Sequence, residues 1–231
     1  MINQKNIVIT GGNRGIGYGL LKIFSKEHNV IITVRNKEKG EQALKKFKDL
    51  GNILDYVVMD VDSTEMMLNS RGEIKEKLGH VDLLINNAGI FIKEHDLQAI
   101  ETSDETILKT FNTNTLGVLR VCKTIVPIMP NGGRIINISS GMGQLEDMES
   151  GFTAYRLSKT ALNALTKILS KELSTMGIKV NAICPGWVRT EMGGDDATLS
   201  IEESAIQIFS FALNDQFPNG KFLRYGKDIR W

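Results

Sequence analysis

Short, nearly continuous apolar runs punctuate the chain at Ile7–Ile9, Val30–Val34, Leu54–Met59, Val81–Ile85, Ile135–Ile138 and Lys179–Cys184. Each is rich in Val or Ile and short, the pattern of strands buried on both faces rather than the alternation of half-exposed ones. Between them, apolar residues recur at helical spacing. Ile16, Leu20, Ile23 and Phe24 mark a first helix. Leu157, Ala161, Leu162, Leu165, Ile168, Leu169 and Leu173 lay a wide apolar stripe along a later one. Ser200 and Glu203 form a capping-box pattern ahead of Ile206 and Phe209, which predicts a third helix starting there. Strand–helix alternation implies parallel strands joined by right-handed crossovers. The expected fold class is therefore α/β, a doubly wound sheet with helices on both faces and its ligand crevice beyond the C-terminal strand ends. No repeat, low-complexity tract or linker breaks the pattern, so residues 1–231 are expected to form one domain.

Composition narrows the function classes. Hydrophobic residues at 42% and charged residues at 24% allow a sizeable core without disulfides or metals. With 28 Lys+Arg against 27 Asp+Glu, no net field favours nucleic acid or an anionic membrane. Cys122 and Cys184 sit in apolar segments and read as buried thiols rather than a disulfide. His28, His80 and His95 are too scattered to form a metal site. The chain begins in a strand pattern without the layout of a secretory leader, and no apolar run is long enough to span a bilayer. A cytoplasmic location is the expectation.

The first strand runs into Thr10-Gly11-Gly12-Asn13-Arg14-Gly15-Ile16-Gly17, and a helical pattern follows at once. Glycines in a strand-to-helix turn let the backbone approach a pyrophosphate, and the helix N-terminus adds N–H donors and a favourable dipole. A tight turn of small residues would look the same in isolation; the position after the first strand favours nucleotide binding.

Further motifs follow in order: Asn86-Asn87-Ala88-Gly89 after the fourth strand, Asn114-Thr115-Leu116-Gly117 in a helical stretch, and Ile138-Ser139-Ser140 closing the fifth strand. Then come Tyr155-Arg156-Leu157-Ser158-Lys159 and Pro185-Gly186-Trp187-Val188-Arg189-Thr190. Together with the glycine turn, this set resembles the short-chain dehydrogenase/reductase family from Asn6 to about Met192, with its nearest likeness to the carbonyl reductase subgroup. Tyr-x-x-x-Lys alone is a weak signal; six elements in order are a strong one. The resemblance implies a seven-stranded parallel Rossmann sheet, NADP(H) as cofactor and reduction of a ketone, aldehyde or quinone.

Tyr155 and Lys159 are four apart on a helix and share a face. A free tyrosine, with a pKa of roughly 10, is a poor acid–base group at neutrality. A close ammonium is expected to bring that pKa down, and an oxidised nicotinamide ring would push the same way. The resemblance makes Tyr155 the proton donor and Lys159 both its partner and the holder of the nicotinamide ribose. It places the catalytic serine at Ser140, with Ser139 the alternative, and makes Asn114 a helix kink whose freed carbonyl holds a proton-relay water.

For the cofactor, the resemblance assigns Gly11, Asn13, Arg14, Gly15, Ile16 and Gly17 to the phosphate turn. Asp60 and Val61 become an adenine clamp, with Asn87, Ala88 and Gly89 beside the adenine ribose. Pro185, Gly186, Val188 and Thr190 then serve the nicotinamide. The second strand ends in Arg35-Asn36 without the carboxylate that NAD enzymes of this fold place there. Arg35 and Arg14 are therefore expected to grip the 2′-phosphate of NADPH, unless both are solvated surface arginines. Gly141–Gly151 and Gly193–Asp215 should cover an apolar substrate pocket that includes Met142, Leu145, Met148, Phe152 and Trp187. The chain departs from the monomeric mammalian members, which carry a long insertion between serine and tyrosine; only 14 residues separate Ser140 from Tyr155 here. A homodimer or homotetramer through the Tyr155–Leu173 helix is expected. A non-catalytic NADP(H)-sensing regulator is the rival reading. An epimerase or dehydratase is disfavoured by the first-turn glycine spacing.

Overall fold

The computed structural model describes residues 4–45, 52, 54–93 and 98–231, with Leu68 by its backbone only. His95 and the charged run beyond Lys45 lie outside the described residues. Strands β1 (Asn6–Thr10), β2 (Asn29–Val34), β3 (Leu54–Val58) and β4 (Leu83–Asn86) alternate with helices α1 (Gly15–Phe24), α2 (Lys37–Leu44) and α3 (Thr64–Leu78). Then follow α4 (Asp104–Phe111), α5 (Gly117–Ile125), β5 (Arg134–Ile138), α6 (Thr153–Glu172), β6 (Lys179–Cys184), α7 (Ile201–Ala212), β7 (Phe222–Arg224) and β8 (Lys227–Asp228). The sheet order is β3-β2-β1-β4-β5-β6-β7-β8. Seven strands are parallel as expected. The eighth, β8, is an antiparallel two-residue addition on β7, made by a tight return through Tyr225 and Gly226.

Alternate residues of each strand feed two cores. Ile7, Ile9, Ile32 and Ile136 pack with Leu20, Phe24, Ala205 and Ile208 of α1 and α7. Val8, Ile31, Leu84, Ile135 and Val180 pack with Ile74, Val121, Ile125, Leu162 and Leu169 of α3, α5 and α6. Burying a strand on both faces explains its unbroken run of Val and Ile. Met67, Phe217 and Phe222 are also buried in the core.

The capping box of α7 forms as read. Ser200 Oγ accepts from the Glu203 N–H at 3.1 Å, and a Glu203 carboxylate oxygen accepts from the Ser200 N–H at 2.7 Å. Within Gly193–Asp215, α7 packs on α1. Gly19 has no side chain, and a Cβ there would lie 2.6 Å from Ile201 Cγ2, so α1 and α7 pack in direct contact on the outer face. The segment before α7 stays beside Trp187 and Thr190, with Trp187 Nε1 donating to Gly193 O at 2.8 Å and the Gly193 N–H to Thr190 Oγ1 at 3.0 Å.

Candidate active site

The strand order reverses between β1 and β4, and the glycine turn leaves β1 at that switch point. Gly11 and Gly15 have positive φ of 66° and 54°, which few other residues tolerate. A Cβ on Gly17 would fall 2.4 Å from Gly11 O and 2.5 Å from Asn87 Nδ2, so turn, helix and β4 loop meet in contact. Thr10 and Asn87 hold them there. Thr10 Oγ1 accepts from the N–H of Asn87 and of Ala88 at 2.9 and 3.0 Å, and Asn87 Nδ2 donates to Thr10 O and Gly11 O at 3.0 and 3.2 Å. No side chain caps the start of α1, which leaves its first-turn N–H groups for an anion. Ile16 packs against the core and orients the turn from below.

Beside the turn lies an open cleft of about 510 Å³ lined by Asn13, Arg14, Tyr18, Lys39 and Lys45 among others. Three cations around one cleft fit a polyanionic dinucleotide. Arg14 also forms an ion pair with Glu191 across the crevice. Arg35 is exposed at the tip of β2. Asp60 and Val61 follow β3. Asp60 is bound into its own turn, accepting from the Asp62 and Ser63 N–H groups at 3.0 Å each, and buried Val61 packs against Gly117. Beyond β6, Gly186 has φ 83°, the Pro185 carbonyl accepts from Ser204 Oγ at 2.9 Å, and Val188 bridges to Leu199. Thr190 lies next to the turn, 3.5 Å from where a Gly15 Cβ would stand. Of the four nicotinamide candidates, Thr190 meets the phosphate turn, and Pro185, Gly186 and Val188 lead to it from the end of β6.

Ser140, Tyr155 and Lys159 come together at the C-terminal end of β5. Ser140 caps the short 3₁₀ turn Gly141–Gly143, accepting from the Met142 N–H at 3.2 Å, and its hydroxyl stands beside Tyr155. Ser139 is buried and committed elsewhere, donating to Asn163 Oδ1 at 2.6 Å. Lys159 Nζ donates to Ile138 O at 2.9 Å and stands 5.6 Å from the centre of the Tyr155 ring. Phe91 meets that ring edge-on at 4.9 Å. Asn114 sits in a π-helical turn, Asn112–Leu116, between α4 and α5. Its side chain is fully used: Nδ2 donates to Ile90 O and Ser158 Oγ at 2.9 and 3.0 Å, and Oδ1 accepts from the Ile90 N–H at 2.8 Å. The helix thus departs from regular α geometry at Asn114, as π-turns do.

The electrostatics differ from the expectation of a depressed tyrosine. Burial pushes Tyr155 up to about 12, opposed by the hydrogen bond from Ser140, and Lys159 is pushed down to about 8 by the same burial. The ammonium is committed to Ile138 O and lies beside the ring rather than at the hydroxyl. Burial therefore wins over pairing at Tyr155. At roughly 1.36 kcal/mol per pKa unit, moving from 10.0 to about 12 disfavours the phenolate by about 3 kcal/mol. The tyrosine rests as a protonated donor, and the lysine rests close to its titration range.

Several participants escaped the sequence reading. Cys184, read only as a buried thiol, contributes to the electrostatics of Tyr155 and Lys159 and accepts from the Gly141 N–H and Arg224 Nε at 3.2 Å each. Lys39 and Tyr18 line the cleft with Arg14, and Glu191 pairs with it. The pocket side chains Leu145, Met148 and Trp187 are exposed, while Met142 and Phe152 are half-buried, Phe152 packing on the Phe91 ring that meets Tyr155.

A doubly wound sheet with a glycine turn at its switch point and a Ser–Tyr–Lys cluster across the crevice defines a nucleotide-linked oxidoreductase class. The chain belongs to the short chain dehydrogenase family, which matches residues 5–198. Carbonyl reductase (NADPH) 1 of Mus musculus is 28% identical over 272 residues, covering 97% of each chain. The carbonyl reductase Sniffer of D. melanogaster superposes with a TM-score of 0.88 at 30% identity, over 99% of this chain and 100% of that one. A short-chain dehydrogenase/reductase from Burkholderia multivorans with bound NADP gives 0.89 at 29% identity, over 99% and 100%. Among the described residues, no helix is long and apolar enough to cross a membrane and no side-chain cluster could hold a metal ion.

Proposed function

We propose that this protein reduces the carbonyl of a small, largely apolar ketone, aldehyde or quinone to the alcohol, with NADPH as the cofactor and the cytoplasm as its place. The observation that carries the reading is the meeting of Ser140, Tyr155 and Lys159 at the C-terminal end of β5, set across the crevice from the glycine turn. When bound, the cofactor supplies the hydride. Ser140 and Tyr155 converge on the position of the substrate oxygen; Ser140 orients it, and Tyr155, held protonated by burial, donates the proton it needs. Lys159 stabilises the phenolate left behind and returns a proton, a task suited to an amine with a pKa near 8. The Asn114 carbonyl would hold a water linking Lys159 to solvent.

Gly11, Asn13, Gly15, Ile16 and Gly17 would cradle the pyrophosphate, and Arg14 and Arg35, joined by Lys39, would hold the 2′-phosphate. Asp60, Val61, Asn87, Ala88 and Gly89 would flank the adenosine, and Pro185, Gly186, Val188 and Thr190 the nicotinamide. The relatives named for NADPH and NADP support this choice of cofactor. A carbonyl panel followed by NADPH absorbance tests it. Turnover of at least one ketone, aldehyde or quinone is expected; tight NADPH binding with no turnover across the panel would favour the sensing regulator. Leu157 and Ile168 on α6 and Leu108 on α4 leave an apolar face exposed where these helices pack together. It fits a homodimer or homotetramer, which sedimentation at 25.7 kDa alone would reject.

A further inference from the structure

One amide ties the serine segment to the tyrosine helix. Asn163 is 3% exposed and lies one turn beyond Lys159 on the same face of α6. Its Oδ1 accepts from Ser139 Oγ at 2.6 Å, and its Nδ2 donates to Gly143 O at 3.2 Å. Ser140 lies between these two anchors. The Gly143 carbonyl also accepts from Thr160 Oγ1 at 3.1 Å. There is no slack at this seam: a Cβ on Gly143 would stand 2.8 Å from both the carbonyl carbon and the Cβ of Lys159. The helix that presents Tyr155 and Lys159 therefore also sets where the serine stands.

Asparagine suits the task because one short planar group offers an acceptor to one side and a donor to the other. An aspartate would turn two acceptors on Ser139 and Gly143, and a leucine would offer neither. Buried side-chain amides with both ends satisfied rigidify their surroundings.

We propose that Asn163 is a positioning residue for the reduction, holding Ser140 in register with Tyr155 through Ser139 and Gly143. This rests on the assignment of Ser140 and Tyr155 made above. Holding a reacting oxygen between two hydroxyls is sensitive to displacements of about 1 Å, which can cost roughly a hundredfold in rate. The clamp thus has catalytic consequences although its hydrogen bonds go to neighbours of the reacting groups.

The test uses the full chain with NADPH and a carbonyl it turns over. Asn163→Leu is expected to lower kcat about ten- to a hundredfold while leaving the NADPH dissociation constant unchanged. In the alcohol-oxidising direction, the pH midpoint of kcat should move upward, because the Ser140 hydrogen bond opposes the rise in the Tyr155 pKa. A purely structural role would lower Tm without moving that midpoint. Ser139→Ala removes only the 2.6 Å half of the clamp and should shift both readouts the same way by less; it carries the test where Asn163→Leu does not fold. The double variant should cost less than the sum of the two singles. A folded Asn163→Leu with wild-type kcat and midpoint overturns the proposal, as does an unchanged Ser139→Ala where the leucine variant fails to fold. Tyr155→Phe and Ser140→Ala run alongside. If they keep activity, the catalytic assignment falls and this proposal with it; if they lose activity while Asn163→Leu does not, only the positioning role falls.

Discussion

Replacing Gly17 by alanine adds one methyl group at the tightest point of the cofactor turn. That Cβ would lie 2.4 Å from Gly11 O and 2.5 Å from Asn87 Nδ2, whereas real contacts essentially never fall under 3.0 Å. The two atoms must therefore retreat by roughly half an ångström at least, the scale of overpacking. Neither is free to do so, since Asn87 Nδ2 donates to Thr10 O and Gly11 O, and the Gly11 N–H donates to Thr33 O at 3.0 Å. Overpacking of this kind costs about 1–3 kcal/mol, a fall in Tm of about 3–9 °C for a chain of this length. The displaced turn should also lose at least one hydrogen bond to the pyrophosphate, worth about 1.5–3 kcal/mol, so the NADPH dissociation constant should rise by about tenfold or more. Fluorescence titration of NADPH and a thermal melt read both effects. Gly72→Ala is the control. Gly72 is exposed within α3 with nothing within 4 Å of its would-be Cβ, so the same methyl should stabilise by up to about 1 kcal/mol and leave NADPH binding alone. A Gly17→Ala protein that binds NADPH within about twofold of wild type and melts at the same temperature would refute the steric account of the turn.

Tyr155→Phe should lower kcat by about a hundredfold or more with NADPH binding nearly intact; stopped-flow turnover retaining a tenth of wild-type rate or better would remove Tyr155 as proton donor. Arg35→Asp should collapse kcat/KM for NADPH and leave NADH use nearly untouched, and an unchanged cofactor ratio would mean that Arg35 is only a solvated surface arginine. His28 is 1% exposed, its pKa is lowered from 6.5 chiefly by burial, and its Nδ1 accepts from the Lys5 N–H at 3.3 Å. The unfolded chain therefore binds more protons below pH 6.5, and the stability that neutral His28 contributes is lost as pH falls from there through its folded pKa. Thermal melts across that window should show a fall in Tm that flattens in His28→Gln, and equal slopes in both proteins would remove His28 as the source.

What the sequence made legible was local. β6 spans Lys179–Cys184 as its apolar run suggested, α7 begins at its capping box, and the glycine turn sits where strand gives way to helix. The strands and helices carry their own periodicity, and the catalytic motif needs only one helix turn to align. The missed features depend on partners far along the chain. Glu191 meets Arg14 across 177 residues, Arg224 reaches Cys184 across 40, and Lys159 bonds to Ile138 O across 21. No periodicity announces such pairs, because the sheet order decides them. The upward shift of Tyr155 was missed for a related reason: helical spacing placed Lys159 nearby, but burial and the pull of Ile138 O were invisible. β8 escaped because two residues cannot display a period.

The order of the sheet also bears on how the chain is assembled as it leaves the ribosome. β2 pairs with β1, β3 with β2, and β4 with the free side of β1; then β5, β6, β7 and β8 each pair with the strand before them. Every strand joins an edge that already exists, and none has to be threaded between two that are in place. The sheet can grow outward in the order of synthesis, its nucleotide half framed before Ser140, Tyr155 and Lys159 have emerged. From β4 to β7 each new edge waits only for the next strand, which limits the time that an unpaired row of backbone groups is open to a neighbouring chain.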